Sequence, residues 1–439
     1  MTPIDRSIAP DTCMSVSNVQ IPPVKTITLD NGIPVTVVDS GSQDVHRLTL
    51  MRDGGNVEAS RPSVANVADQ KLREGSEHFS GGDISDRLEF NGAWVKGMVQ
   101  PHNSSVVLYA LNDTADHVYP ILRDMVVNRV FPDEARNAIK ENLAGTLETN
   151  MKRVEYWSQV AVRDMIFGRN HRLSRRESPD DIRNIAKPAL AQFHESYIQP
   201  AGIQIYMAGK ITEDLLQKLN SYFGTGDVQH DADGDKLIIN PAEPEAAGTD
   251  AVKVINVKSA TQSSVRMAIP VVGRNTPDYI PLRIATVALG GYFGSRLMSN
   301  IREEKGLTYG INAGLYGYRE GSMVMISAQT SDETVKALIE ETYNEIERLK
   351  TGVMSAEEIA RLKKFMYTQL LAQLDSPFSI MDYYENLRVN AIEGDYFMDQ
   401  WRKIDSITAD EIGEMARKYY DPDKMCVAVA GNRDAIDIA

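Results

Sequence analysis

The sequence predicts an α+β fold of two homologous domains, each a mixed or antiparallel sheet with helices packed on it. Three observations carry that expectation: an internal repeat, an alternation of apolar strand-like runs with capped helices in each copy, and an unstructured-looking stretch between the copies. The repeat has a period of roughly 220 residues, far longer than a solenoid unit.

In the first copy, LNDTADHVYPILRDMVVNRVFPDEARNAIKENL begins at Leu111. In the second, QTSDETVKALIEETYNEIERLKTGVMSAEEIARLKKFM begins at Gln329. Each reads as a capped helix, a break and a second helix. In the second copy Val335, Leu338, Ile339, Ile346 and Leu349 share one helical face. Ser331 or Asp332 can cap that helix, Gly352 follows its end, and Ser355 with Glu358 forms a capping box for the next one. The ends of the halves also match. His194–Lys210 (HESYIQPAGIQIYMAGK) and Ala416–Arg433 (ARKYYDPDKMCVAVAGNR) are each a helix end, a Pro turn and an apolar strand closing on Ala-Gly. The strand-like openings pair as TITLDNGIPVTVVDS and AVKVINVKSATQSSVRMAIPVV.

Asp227–Asp250, rich in Asp, Pro, Ala, Gly and Glu, reads as a linker. The expected organisation is a tail over 1–24, a first α+β domain over 25–226, the linker 227–250, and a second α+β domain over 251–439. Two similar halves facing each other would form a cleft.

The 439 residues suffice for two domains with substantial cores, and a hydrophobic fraction of 42% with 25% charged residues is that of a globular protein. A formal net charge of −14 disfavours nucleic acid and anionic membrane as partners. Two cysteines, Cys13 and Cys426, exclude a secreted disulfide framework. The start, MTPIDRSIAPDTCMS, has no apolar h-region, and no window approaches a membrane span. The expected location is the cytoplasm.

Chemistry is sparse. None of the seven histidines stands three or four residues from another, so no helix offers a paired imidazole site. There is no HExxH, CxxC, P-loop or GxSxG, and no nucleophile–base pair can be named. The REGSEH stretch at Arg73–His78 reads as a solvated turn. One segment is more specific: Gly290–Ala313, GGYFGSRLMSNIREEKGLTYGINA. Gly290, Gly291 and Gly294 permit a tight turn into a helix over Ser295–Lys305, which Gly306 ends. Arg302 falls near that helix end and Tyr309 on the expected following strand. A guanidinium fork beside a phenol can hold a peptide carbonyl or a developing oxyanion. Alone, however, a helix-end Arg and a strand Tyr are ordinary structure.

With these residues the chain resembles the insulinase (pitrilysin-like) zinc metallopeptidases, in the half-length class that includes processing-peptidase subunits. GSRLMSNIREEKGLTY is similar to the family's second-half pattern. Asp53–Ser60 (DGGNVEAS) resembles its Gly-x-x-x-Glu entry strand, and Asp86–Val95 (DRLEFNGAWV) its Leu-x-x-x-Gly-Ala segment. The resemblance covers roughly residues 25–435 and implies a duplicated clamshell half. It further implies that Arg302 and Tyr309 bind the substrate main chain.

Active members carry His-x-x-Glu-His on a first-half helix, with a distal glutamate completing the zinc site. Here the five positions are Asn66, Val67, Ala68, Asp69 and Gln70, and Glu148, with Glu141 one helical stretch before it, falls where the distal acids lie. Amides are poor zinc ligands beside imidazole, and Asp69 is one methylene short of the expected base. The resemblance therefore implies no catalytic or metal site on this chain. Asn66, Asp69, Gln70 and Glu148 are degenerate positions, and zinc is expected on a homologous partner subunit. The implied function is a non-catalytic subunit of a heterodimeric zinc peptidase that contributes Arg302 and Tyr309 to a shared chamber cleaving small peptides. Three alternatives stay open: a structural or assembly protein with the same fold, a hydrolase using some other site, and an all-oxygen cation site at Asn66, Asp69, Gln70 and Glu148.

Overall fold

The computed structural model describes residues 19, 21–22, 24–197, 203–225, 251–258, 260–319 and 321–436. The expected linker, 227–250, lies outside the described residues, as does nearly all of the expected 1–24 tail.

The strands of the first half are β1 (Lys25–Thr28), β2 (Pro34–Asp39), β3 (Val45–Asp53), β4 (Trp94–Val99), β5 (Asn103–Leu111) and β6 (Gln204–Gly209). Those of the second are β7 (Val252–Asn256), β8 (Ser263–Val271), β9 (Ile311–Tyr318), β10 (Gly321–Thr330) and β11 (Cys426–Gly431). The sheets run β1-β2-β6-β3-β5-β4 and β7-β11-β8-β10-β9. Stripped of β1, the first order is the second. In both, the late-arriving strand returns parallel to the opening one (β6 to β2, β11 to β7) and antiparallel to its other neighbour. The counterpart of β7–β8 is therefore β2–β3, and not the β1–β2 hairpin with which the sequence pattern pairs it. β1 is an added edge strand of the first half.

Successive side chains along a strand point to opposite faces, and here both faces are buried. In β6, Ile205 and Met207 enter one core while Tyr206 and Ala208 enter another. In β11, Val427 and Val429 point one way and Cys426 and Ala428 the other. On the inner face of the first sheet lie helices Gly81–Phe90, Ala115–Val127 and Glu213–Phe223; on that of the second lie, among others, Tyr279–Gly290, Val335–Lys350 and Ala409–Tyr419. The apolar face anticipated for Val335–Lys350 is buried throughout, with Val335 and Leu349 fully inaccessible.

The back faces are closed by exchange. Helix Val154–Phe167 of the first half covers the back of the second sheet, packing Ala161, Met165 and Phe167 on Ala268, Met323, Met325 and Cys426. Helix Pro377–Val389 of the second half returns the favour, setting Ile380 and Met381 against Val38, Met51, Tyr206 and Ala208. Polar groups fasten both seams. Buried Arg47 on β3 donates to Glu385 at 3.0 Å and to Asp382. Ser158 meets Ser264 at 2.8 Å, and Asp53 accepts from Arg319 at 2.8 Å. The halves are thus interlocked through exchanged helices.

Two local expectations change. Ser355 accepts from the Glu358 N–H at 3.1 Å, but the reciprocal half of the box does not form. The Glu358 carboxylate is taken by Arg296 at 2.7 Å, a charge-assisted bond that outweighs a backbone one. The Asp53–Ser60 segment is not an extended strand. β3 ends at Asp53, Gly54 turns at φ +112°, and the chain winds toward the next helix.

Candidate functional site

The degenerate motif lies on helix Pro62–Gln70. Its start is fixed by two side chains. Glu177 accepts from the Ser63 N–H at 2.7 Å, a favourable place for an anion at a helix N-terminus. Arg175 donates to the carbonyls of Val57 at 2.6 Å and Ala59 at 3.0 Å, pinning the loop that leads in. Val64, Ala65, Val67 and Ala68 are buried against Ile182, Ile185, Leu190 and Phe193. That packing turns Asn66 and Asp69 away from the helix contact, and both are half-buried. Gln70 ends the helix, and its side chain lies outside the described residues.

Asp69 reaches over β4 at Gly97, where an added Cβ would come within 1.8 Å of its Oδ1. Only glycine leaves this room. No ion-pair partner stands by Asp69 among the described residues. Burial pushes its carboxyl up to about 7, against the weaker pull of the Arg129 and Lys96 charges. Arg129 is itself buried, its guanidinium 5.3 Å over the Phe131 ring, with Nε and Nη2 unbonded. Its pKa is lowered by that burial. His194, 3.5 Å from Arg129 Nη1, is held neutral, burial pushing it down to about 3. This pocket carries a built-in cation. An arriving metal ion would meet a carboxyl that keeps its proton up to near neutrality and two positive charges beyond it.

Glu148 and Glu141, expected near the motif helix, share one helix, Asp133–Asn150. Both carboxylates are engaged by Arg183, at 2.8 Å and 3.1 Å, with Asp180 at 3.2 Å on the same guanidinium. Among the described residues no three His, Cys, Asp or Glu side chains are grouped to hold a metal ion.

The pH response of Asp69 follows from its raised pKa. Below about pH 4 the carboxyl is protonated in folded and unfolded chains alike. Between about 4 and 7 the unfolded chain releases the proton and the folded one keeps it, so stability declines as pH rises through this window. Asp69→Asn removes that term. In urea melts, its stability relative to the native sequence is expected to improve steadily from pH 4.5 to 7.5. A constant difference across that range would show that Asp69 is not perturbed.

In the second half, Arg302 and Tyr309 are brought together. Helix Tyr279–Gly290 ends so close to β9 that a Cβ on Gly290 would lie 2.7 Å from that of Ala313. The helix anticipated over Ser295–Lys305 is wound as a π-helix over Met298–Glu304, with Lys305 N–H donating to the Asn300 carbonyl at 2.9 Å. Such turns are uncommon and are often found at functional sites. Gly306 follows at φ +62°. Leu297 and Ile301 anchor this turn in the core, which leaves Arg302 facing outward. Arg302 Nε donates to the Tyr309 carbonyl at 2.9 Å, and its guanidinium lies 4.9 Å over the Phe293 ring.

Tyr309 is not on the strand, as the pattern suggests, but two residues before β9 begins at Ile311. Its loop is tied to β10 by Thr308 and Thr330, whose hydroxyls donate to the Gln329 and Leu307 carbonyls, each at 2.5 Å. The backbone is therefore held while the Tyr309 ring is 94% exposed, and Phe293 beside it is 63% exposed. Two large aromatics and a guanidinium are thus presented together to solvent. Phe293 was not singled out from the sequence. An aromatic between Gly291 and Gly294, where a turn residue is expected, was the available signal.

A family model described as "Peptidase M16 inactive domain" matches residues 184–366, a span that contains Arg302 and Tyr309 and leaves out the Pro62–Gln70 helix. A solved "peptidase M16 inactive domain" from Pseudomonas fluorescens superposes with a TM-score of 0.82 at 21% identity, covering 94% of this chain and 99% of that one. Residues 184–366 thus match the M16 family, and nearly the whole chain has the fold of M16-like structures. Among similar proteins, the mitochondrial-processing peptidase subunit beta of Bos taurus is 21% identical, over 94% of this chain and 85% of its own length. A "probable inactive metalloprotease", YmfF of Bacillus subtilis, is 20% identical over 60% of each chain. With amides and a short acid at 66, 69 and 70, these matches support a non-catalytic M16 member. No helix among the described residues is long and apolar enough to cross a membrane.

Proposed function

We propose that this chain is the substrate-holding subunit of a two-subunit M16 peptidase. The partner is a homologous chain that carries the zinc, and the substrate is a peptide gripped by Arg302 and Tyr309 in a chamber between the two. The observation that carries this reading is a contrast within one molecule. The space beside the motif helix is occupied by Arg129 and by the Asp69 carboxyl against Gly97, whereas the Arg302–Tyr309 surface is braced and left open. The interlocked halves support a chamber formed between chains, since exchanged helices close both sheets within this one. A peptide suits the surface because Arg302 Nη groups and the Tyr309 phenol are donors matched to backbone carbonyls.

Purification from the source cell at native abundance tests this. The expected result is a homologous zinc-containing chain co-purifying in equal amount, with peptide cleavage in the complex and none in the isolated chain. Metal analysis of the isolated chain should find less than stoichiometric zinc. Recovery with non-peptidase proteins alone would favour the assembly role, and stoichiometric zinc in the lone chain would overturn the proposal.

A further inference from the structure

Away from both regions, a solvent-open cleft of about 570 Å³ lies in the second half between helices Tyr279–Gly290, Pro377–Val389 and Tyr396–Ser406. Two arginines enter it. Arg274 donates from Nη1 to the amide oxygen of Asn386 at 2.9 Å, and Arg283 from Nη1 to that of Gln400 at 2.5 Å. Both partners are neutral, and neither guanidinium has a carboxylate within ion-pair distance among the described residues. The contrast with other arginines of this half is plain: Arg296, Arg319 and Arg388 each pair with a carboxylate. Arg274 Nε is buried with no hydrogen-bond acceptor.

The arrangement is held rigidly. Arg274 lies 5.8 Å over the Tyr279 ring and passes so near β9 that a Cβ at Gly317 would come within 2.9 Å of its Nε. Gln400 is itself buried. Both guanidiniums act on the Tyr396 phenol, yet burial dominates and raises its pKa, so it remains an O–H donor. The one carboxylate lining the cleft, Asp382, is engaged by Arg47 across the seam between the halves. Two half-buried guanidiniums that no carboxylate neutralises, oriented by neutral amides and flanked by a phenol donor, present charge and hydrogen-bond donors to an anion. Guanidinium forks match the planar oxygens of carboxylates and phosphates.

We propose that this cleft is a binding site for a small oxyanion ligand, a carboxylate or a phosphate, held by Arg274, Arg283 and Tyr396. The site goes beyond the peptide-holding role and stands whether or not a peptidase partner exists.

Thermal unfolding of the full chain with citrate or inorganic phosphate, against sodium chloride at matched ionic strength, tests it. A saturable rise in midpoint with citrate alone assigns a carboxylate, and one with phosphate alone a phosphate. The same rise with both assigns a general oxyanion site. Arg283→Gln and Tyr396→Phe are each expected to weaken the apparent affinity, the arginine change by about tenfold or more. Arg274→Gln keeps a side chain able to bond Asn386 and gives a second reading should R283Q unfold. The proposal fails if neither anion exceeds the chloride control, or if the response survives in both arginine variants.

Discussion

Phe167→Ala is expected to destabilise the whole chain by about 3–5 kcal/mol, because it empties a buried aromatic site at the seam between the halves. Phe167 closes helix Val154–Phe167, is 1% exposed, and stacks on His171 with ring centroids 5.5 Å apart. Its other edge meets Tyr318 of the second sheet at 5.9 Å. The cavity would open between a first-half helix and the second sheet, where close packing leaves neighbouring side chains little freedom to refill it. Chemical denaturation of the variant measures the loss, and a cost under about 1 kcal/mol would show that the seam collapses around the gap. The exchanged helices also set the form of the transition. Trp94 on β4 reports on the first sheet and Trp401 on the second half. Single-tryptophan versions should give coincident unfolding curves, whereas two separable transitions would mean that the halves fold independently.

That seam shows where pattern reading stops. Helical periodicity identifies the buried face of Val335–Lys350, since the apolar spacing belongs to that helix alone. The paired strand orders were also foreshadowed, as the repeated segments keep their sequence order. But an apolar face states only that something covers it. Met323 and Phe167 are far apart in the chain, and no local periodicity says that one half's helix will cap the other half's sheet. The same applies to charges. Glu148 falls at the expected place for a distal acid, yet Arg183, from a short later helix, decides what it does.

The motif helix was legible by residue type and opaque in its surroundings. Asn66, Asp69 and Gln70 announce a changed site, but the buried Arg129 behind Asp69 comes from the segment after another helix and carries no signal of its own. Around Arg302 the difference is one of local winding. Ser295–Lys305 has helical composition, and composition does not distinguish an α-turn from the π-turn that aims Arg302 outward with Ile301 buried next to it.

In the reconstituted complex, Arg302→Ala is expected to lower kcat/KM for peptide cleavage by about 100-fold, the scale of losing one oriented donor at a reacting carbonyl. The change should leave the fold in place, because Arg302 is surface-facing and its partners are the Tyr309 carbonyl, the Phe293 ring and the half-exposed carboxylate of Glu303 at 3.6 Å. Arg302→Lys separates charge from shape. Lysine retains the cation but lacks the planar fork that reaches Tyr309 and the substrate together, so only partial recovery is expected. Tyr309→Phe deletes a phenol that has no hydrogen bond to any of the described residues and keeps the ring. Its expected effect is about tenfold, within the range for one hydrogen bond. A loss confined to KM would assign the pair to ground-state grip, and an equal fall in kcat and kcat/KM to the transition state. Unchanged cleavage in both R302A and Y309F, with the complex intact, would remove the substrate-holding role and leave the exposed Phe293–Arg302–Tyr309 surface as a contact for the partner chain.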